Sequence, residues 1–270
     1  MPHPVPFHLS AGGRSLFCLH YAPDPAAVRG ALLYIPPFAE EMNKSRRMAA
    51  MQARAFAESG WHVLQLDLTG CGDSWGDFGD AGWEIWLDDI ASARRWIRDN
   101  TSGPVWLWGL RLGAVLACAS LERHPEPGAG LLFWQPVTSG SQHLQQFLRI
   151  KLAGERVGSQ REGASTKALL ENLRAGKPVE VAGYDLQPQL ALPMAAASLQ
   201  VPPAVSQIRW FEVSPYADAG LSLGSQRVVD SWKDRVSIDT AVIQGASFWQ
   251  TQEIEEVSAL VTATTRAFFV

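Results

Sequence analysis

Two periodicities alternate along the chain. Runs rich in β-branched and aromatic residues recur at 15–21, 31–35, 62–68, 105–110, 131–137, 208–213 and 238–243, and predict strands. Between several of them the apolar positions fall at helical spacing, over 44–58, 83–99, 112–123 and 253–269. The second of these sets Trp83, Ile85, Trp86, Ile90, Ala93 and Ile97 along one side. Strands alternating with helices imply a mostly parallel sheet with helices on both faces. The unbroken run VWLWGL at 105–110 suits a strand buried on both sides.

The rhythm breaks between 138 and 205. No strong strand is evident there, and helix-like pieces at 143–152, 166–174 and 189–199 are separated by Gly and Pro. We read 138–205 as a helical cap inserted into a core made of 1–137 and 206–270.

Composition narrows the class. The 270 residues are 47% hydrophobic and 19% charged, enough apolar surface for a core without covalent staples. A net charge of −4 carries no basic footprint for nucleic acid. Cys18, Cys71 and Cys118 form no CxxC pair, so no structural metal site is expected, and no cofactor either. An odd number of cysteines, with an opening MPHPVPF that lacks a charged and an apolar region, fits a cytoplasmic protein. The apolar stretch 105–121 is too short for a membrane span and carries Arg111 near its centre. Most of the eleven tryptophans are expected in the core or lining a pocket.

The most informative segment is WLWGLRLG at 106–113. A buried strand runs into Gly109-Leu110-Arg111-Leu112-Gly113, and a helix follows. This is the G-x-S-x-G nucleophile elbow with Arg111 where Ser, Cys or Asp belongs. Three further segments agree in order: ALLYIPPF at 31–38, whose following loop would donate an oxyanion-hole N–H, DLTGCGDSWG at 67–76, and QGASFW at 244–249 where a catalytic His usually follows the last strand. Together they resemble the α/β-hydrolase fold. A narrower resemblance rests on PPFAEEMNKSRRM (36–48), DLTGCGDSWGDF (67–78), WGLRLGA (108–114), WQPVTSG (134–140), FLR (147–149) and GYDLQP (183–188). These look like the second of the two hydrolases associated with the exosortase A system. That resemblance implies a hydrolase family and an association with exopolysaccharide production, including a protein partner there.

An ordinary acyl-transfer site needs a nucleophile, a base and a group that orients the base. Arginine stays protonated and cannot attack a carbonyl. Of the histidines, His3 and His8 are expected before the sheet, His20 within an early strand, and His62 and His124 at the face opposite the strand C-termini. Ligands bind at the C-termini in parallel α/β folds. That leaves His143 as the candidate base, while Ser247 and Phe248 occupy the usual His position. Glu212 and Asp218 are the acid candidates.

Arg111 at a helix N-terminus needs a partner. Glu40 or Glu41, from the loop after the 31–35 strand, is one option. The other is an anionic ligand held by Arg111 with the N–H groups of Leu112 and the Phe38 loop. The candidate ligand-binding set is therefore Phe38, Glu40, Glu41, Arg111 and Leu112. Asn43, Lys44, Ser45, Arg46 and Arg47 read as the solvated first turn of a helix, with a second anion contact as the alternative. Cys71 reads as a small packed residue, and Asp67 and Asp73 as turn-forming carboxylates.

Three functions remain open. The first is a catalytically degenerate hydrolase that binds an anionic or acyl-type small molecule or a partner. The second is an active hydrolase with relocated groups, such as His143 with a Ser, Glu41 or Glu212. The third is an interaction protein with a closed pocket.

Overall fold

The computed structural model describes residues 3–158 and 165–269. Eight strands form one sheet: β1 (Val5–Ala11), β2 (Arg14–Tyr21), β3 (Gly30–Ile35), β4 (Trp61–Leu66), β5 (Val105–Leu110), β6 (Gly130–Trp134), β9 (Gln207–Ser214) and β10 (Ser237–Gln244). Their spatial order is β1-β2-β4-β3-β5-β6-β9-β10. The β1–β2 and β2–β4 pairs are antiparallel, and every other pair is parallel.

The sheet is covered on both faces because its central strands carry large apolar residues pointing both ways. On one face α2 (Trp83–Asn100), α3 (Leu112–Arg123) and Trp232 of α7 (Leu223–Trp232) pack on Leu33, Leu107 and Phe133. On the other face α1 (Glu40–Glu58) and α8 (Ser258–Arg266) pack on Trp106, Trp108 and Trp134. The second layer is built from aromatic edges meeting faces: Trp108 meets Trp134 at 4.8 Å and 72°, and Trp106 meets Phe268 at 4.7 Å and 67°. Such contacts add to the area term. Trp134 also donates its ring N–H to Thr264.

Between β6 and β9 lie α4 (Gly140–Gly158), α5 (Thr166–Arg174), the hairpin strands β7 (Val179–Val181) and β8 (Tyr184–Leu186), and α6 (Pro188–Ala196). Leu144, Leu148, Leu169, Leu173, Leu190 and Met194 join the same core as α2 and α3.

Several boundaries differ from the sequence expectation. β1 was not anticipated, because Pro6 and a mostly exposed face blur its alternation, and His8 lies within it rather than before the sheet. β4 stops at Leu66 and β6 at Trp134, short of the expected Leu68 and Val137. α1 begins at Glu40, four residues early, and 253–257 precede α8 instead of belonging to it. The β7–β8 hairpin replaces the expected absence of strands in the insertion. α7 leaves little apolar pattern in the sequence because it buries only Ser225 and Trp232. No helix among the described residues is long and apolar enough to cross a membrane.

Candidate functional site

The turn from β5 into α3 has elbow geometry. Arg111 sits at φ 56, ψ −119, a region that costs a non-glycine residue about 1–3 kcal/mol. Its backbone is pinned from three sides. Its N–H donates to Trp134 O at 3.0 Å, and its carbonyl accepts from Ala114 N at 3.1 Å and Val137 N at 3.2 Å. The flanking glycines are required by contact distance. A Cβ at Gly109 would lie 2.4 Å from Ala114 N, and one at Gly113 would lie 2.2 Å from Ile35 O.

A second strained turn stands opposite. Ala39, between β3 and α1, has φ 50, ψ −124. It launches α1 so that Glu41 faces the elbow. Arg111 Nη2 lies 3.0 Å from Glu41 Oε1, and Nε donates to the same oxygen at 3.1 Å. The two side chains are only 12% and 16% exposed. The guanidinium also lies over the Trp249 ring, 5.4 Å from its centroid, in cation–π range. Glu40 turns the other way, and its Oε2 accepts from Tyr184 Oη at 3.0 Å. Both glutamates belong to the first turn of α1, not to a loop as the sequence suggested.

The expected catalytic partners do not converge. Glu212 is buried, but it accepts from Trp210 Nε1 at 3.2 Å and from Ser222 N at 2.9 Å, so it closes the β9 turn. Asp218 is exposed. Beyond β10, Phe248 packs into the core against Trp134, and Ser247 O accepts from Gln250 N. The residue that reaches the elbow from this loop is Trp249, which the sequence reading did not select. His143, on α4, is 5% exposed, and both ring nitrogens lack a partner among the described residues. Burial first, and then the Arg111 charge, push its pKa down to about 3. Among the described residues, no carboxylate orients it and no serine is hydrogen-bonded to it.

Above the pair is a cavity of about 300 Å³ lined by residues of α1, α4 and the Trp249 loop, with Phe38, Phe147 and Ile150 supplying apolar wall. Phe38, Glu40 and Glu41 line it, but Arg111 and Leu112 do not: Leu112 is fully buried and Arg111 is turned onto Glu41. Burial raises the Glu41 pKa, while Arg111, Gln250 and Lys44 pull it back. Its second oxygen, Oε2, is buried without a partner of its own, while the Gln250 side chain supplies the carboxyl's one hydrogen bond beyond those of Arg111.

The residues expected to form a basic first turn are mostly engaged. Arg46 pairs with Asp67 at 3.0 Å, Arg47 pairs with Glu256, and Asn43 donates to Tyr184 Oη at 3.3 Å. Asp67 also accepts from Asp73 N at 3.1 Å. Burial pushes the Cys71 thiol up to about 12, which suits an inert packed residue. Among the described residues no cluster of three metal-ligating side chains occurs.

Residues 27–186 match the Hydrolase_4 family, described as serine aminopeptidase, S33. No curated protein matches the sequence. Among solved structures, the chain is similar to Est1E from Butyrivibrio proteoclasticus with ferulic acid bound, at 14% identity and a TM-score of 0.67 over 97% of both chains. It is similar to a thermostable carboxyl esterase from Bacillus coagulans in complex with glycerol, at 15% identity and a TM-score of 0.62 over 99% of this chain and 97% of that one. A proline iminopeptidase from Mycobacterium smegmatis shares 16% identity at a TM-score of 0.55 over 98% of both. At these identities the likeness is one of fold.

Proposed function

The chain belongs to the serine aminopeptidase S33 family and has the α/β-hydrolase fold, and from that premise we propose that it is a catalytically silent member that binds a small molecule in the cavity over the elbow. One observation carries the reading: the elbow residue is Arg111, tied to Glu41 and covered by Trp249. A hydrolase of this fold holds a nucleophile at that position, with a histidine over it. Here a cation replaces the nucleophile and an indole lies over it. The relocated alternative, with His143 as base, lacks both the serine and the orienting acid.

The cavity argues for binding rather than for a closed interaction scaffold. It is concave and apolar-walled with a few polar atoms, as small-molecule sites are. Helix α4 covers it, with His143, Phe147 and Ile150 in its lining. The internal Arg111–Glu41 pair speaks against the anionic ligand held by Arg111, because its charge is already met. The resemblance to the second exosortase-associated hydrolase supports a role in exopolysaccharide production, in the cytoplasm and with a partner of that system.

Serine-directed fluorophosphonate labelling and a panel of simple esters test this. The expected result is no label and no turnover, for the natural chain and equally for Arg111→Ser, since no histidine is placed to take the proton. Robust ester turnover by the natural chain overturns the reading.

A further inference from the structure

The cavity over the elbow is balanced in charge and unbalanced in hydrogen bonds. Its carboxylates are Glu40 and Glu41, and its cations are Lys44 in the wall and Arg111 paired with Glu41. Two negative and two positive groups leave no net charge for a ligand to match. Four buried polar atoms of its lining residues, however, have no partner among the described residues: His143 Nδ1, His143 Nε2, Glu41 Oε2 and the donor Trp249 Nε1. His143 is itself more than nine-tenths buried. The neutral ring offers one donor and one acceptor, and the carboxylate oxygen offers an acceptor.

Resting on the binding role proposed above, we propose that the cavity takes an uncharged ligand with an apolar body and a hydroxyl or primary amide head. Such a head both donates and accepts, so it can satisfy Glu41 Oε2 and the His143 ring together. The apolar body lies against Phe38, Phe147 and Ile150. A carboxylate head meets the unbonded oxygen of Glu41 and the nearby Glu40 as like charges. An ammonium head gains Glu41 but competes with Arg111 for it, and leaves the guanidinium unpaired. An ammonium head therefore enters at the cost of a buried charge without a partner, and a carboxylate head meets two like charges for the one cation of the wall, Lys44.

Four probes with one body separate the cases: phenylbutanol, phenylbutanamide, phenylbutanoate and phenylbutylammonium, titrated by tryptophan fluorescence and calorimetry at neutral pH. The alcohol and the amide should bind about tenfold or more tightly than either charged probe. His143→Phe keeps an aromatic ring and removes both nitrogens, so it should erase that preference while leaving the fold intact by circular dichroism. Ile150→Trp, at a half-exposed position of the wall, should weaken all four. Tighter binding of either charged probe overturns this inference and leaves the binding reading standing, as does a neutral-head preference that survives His143→Phe. No binding by any of the four overturns both. Hydrolysis of phenylbutyl acetate overturns only the catalytic silence.

Discussion

The pair beneath the cavity sets the strongest expectation. Arg111→Met removes the charge and keeps an unbranched apolar stem under Trp249. Glu41 Oε1 then loses donors at 3.0 and 3.1 Å, while Oε2 has none to begin with. Breaking a buried pair from one side costs about 3–5 kcal/mol. The residual exposure of 12% and 16% favours the lower end, or roughly 6 °C at about 2 °C per kcal/mol for a chain of this size. The loss must depend on pH. Burial already holds the Glu41 carboxyl above its ordinary range, and Arg111 is the first influence pulling it back. Without Arg111 the folded pKa climbs further above the unfolded one. Between those two values the folded state binds more protons, so stability falls as pH rises through the window. The deficit should be largest near pH 7.5 and shrink toward mild acid, by urea unfolding at both. The double change Arg111→Met with Glu41→Leu should recover most of it, because an apolar pair of similar volume is near neutral or stabilising. A single variant as stable as the natural chain, or a deficit that does not shrink in acid, would refute the reasoning.

Three other outcomes follow from particular contacts. His143→Phe removes two buried, unbonded nitrogens and should raise the melting temperature, by about 1 kcal/mol in stability; a drop in calorimetry means the ring has partners. Gly113→Ala forces a Cβ to 2.2 Å from Ile35 O, and should leave little folded protein in a soluble-expression and circular-dichroism comparison, where full recovery counts against the close approach. His20 and His62 share a hydrogen bond of 3.0 Å, and burial first, then the His62 charge, push the His20 pKa down to about 4. Since the unfolded chain takes up that proton near pH 6.5, the stability is complete above 6.5 and lost as pH falls toward 4. His20→Leu should flatten that limb of a melting temperature against pH curve, and an unchanged limb rejects the assignment.

What the sequence shows of this molecule follows what is local in it. Buried central strands and the glycine-framed elbow are legible because strand burial and tight turns leave periodicity and Gly in place. The choice between Glu40 and Glu41 is not, since adjacent helix residues point about 100° apart and the phase of α1 is set by the strained Ala39 turn. Trp249 is hidden for a similar reason. Which residue of Ser247-Phe248-Trp249 reaches the elbow depends on two backbone bonds, Phe248 N to Ala246 O and Gln250 N to Ser247 O. These turn Phe248 into the core and Trp249 toward Arg111. β1 and α7 are weak in the sequence because both lie largely at the surface, where burial imposes no pattern.

The strained turns have a physical basis independent of catalysis. Ala39, Arg111 and Gln135 all take positive φ just beyond the C-terminal ends of β3, β5 and β6, and each such residue costs about 1–3 kcal/mol. In a hydrolase, strain at the elbow aims a nucleophile. Here no nucleophile stands, yet the geometry is fully specified. The elbow backbone is clamped by Trp134, Ala114 and Val137, and α3 approaches β3 and β5 too closely for any Cβ at Gly109 or Gly113. The turn is therefore a packing solution for a helix lying tightly on a central strand, and the side chain at its apex is free to differ. An arginine there is tolerable only if something meets its charge. The Ala39 turn supplies it by starting α1 at Glu40, which brings Glu41 Oε1 into contact with the guanidinium. The two strained turns thus share one ion pair, and a change that relaxes either backbone acts on the other through it.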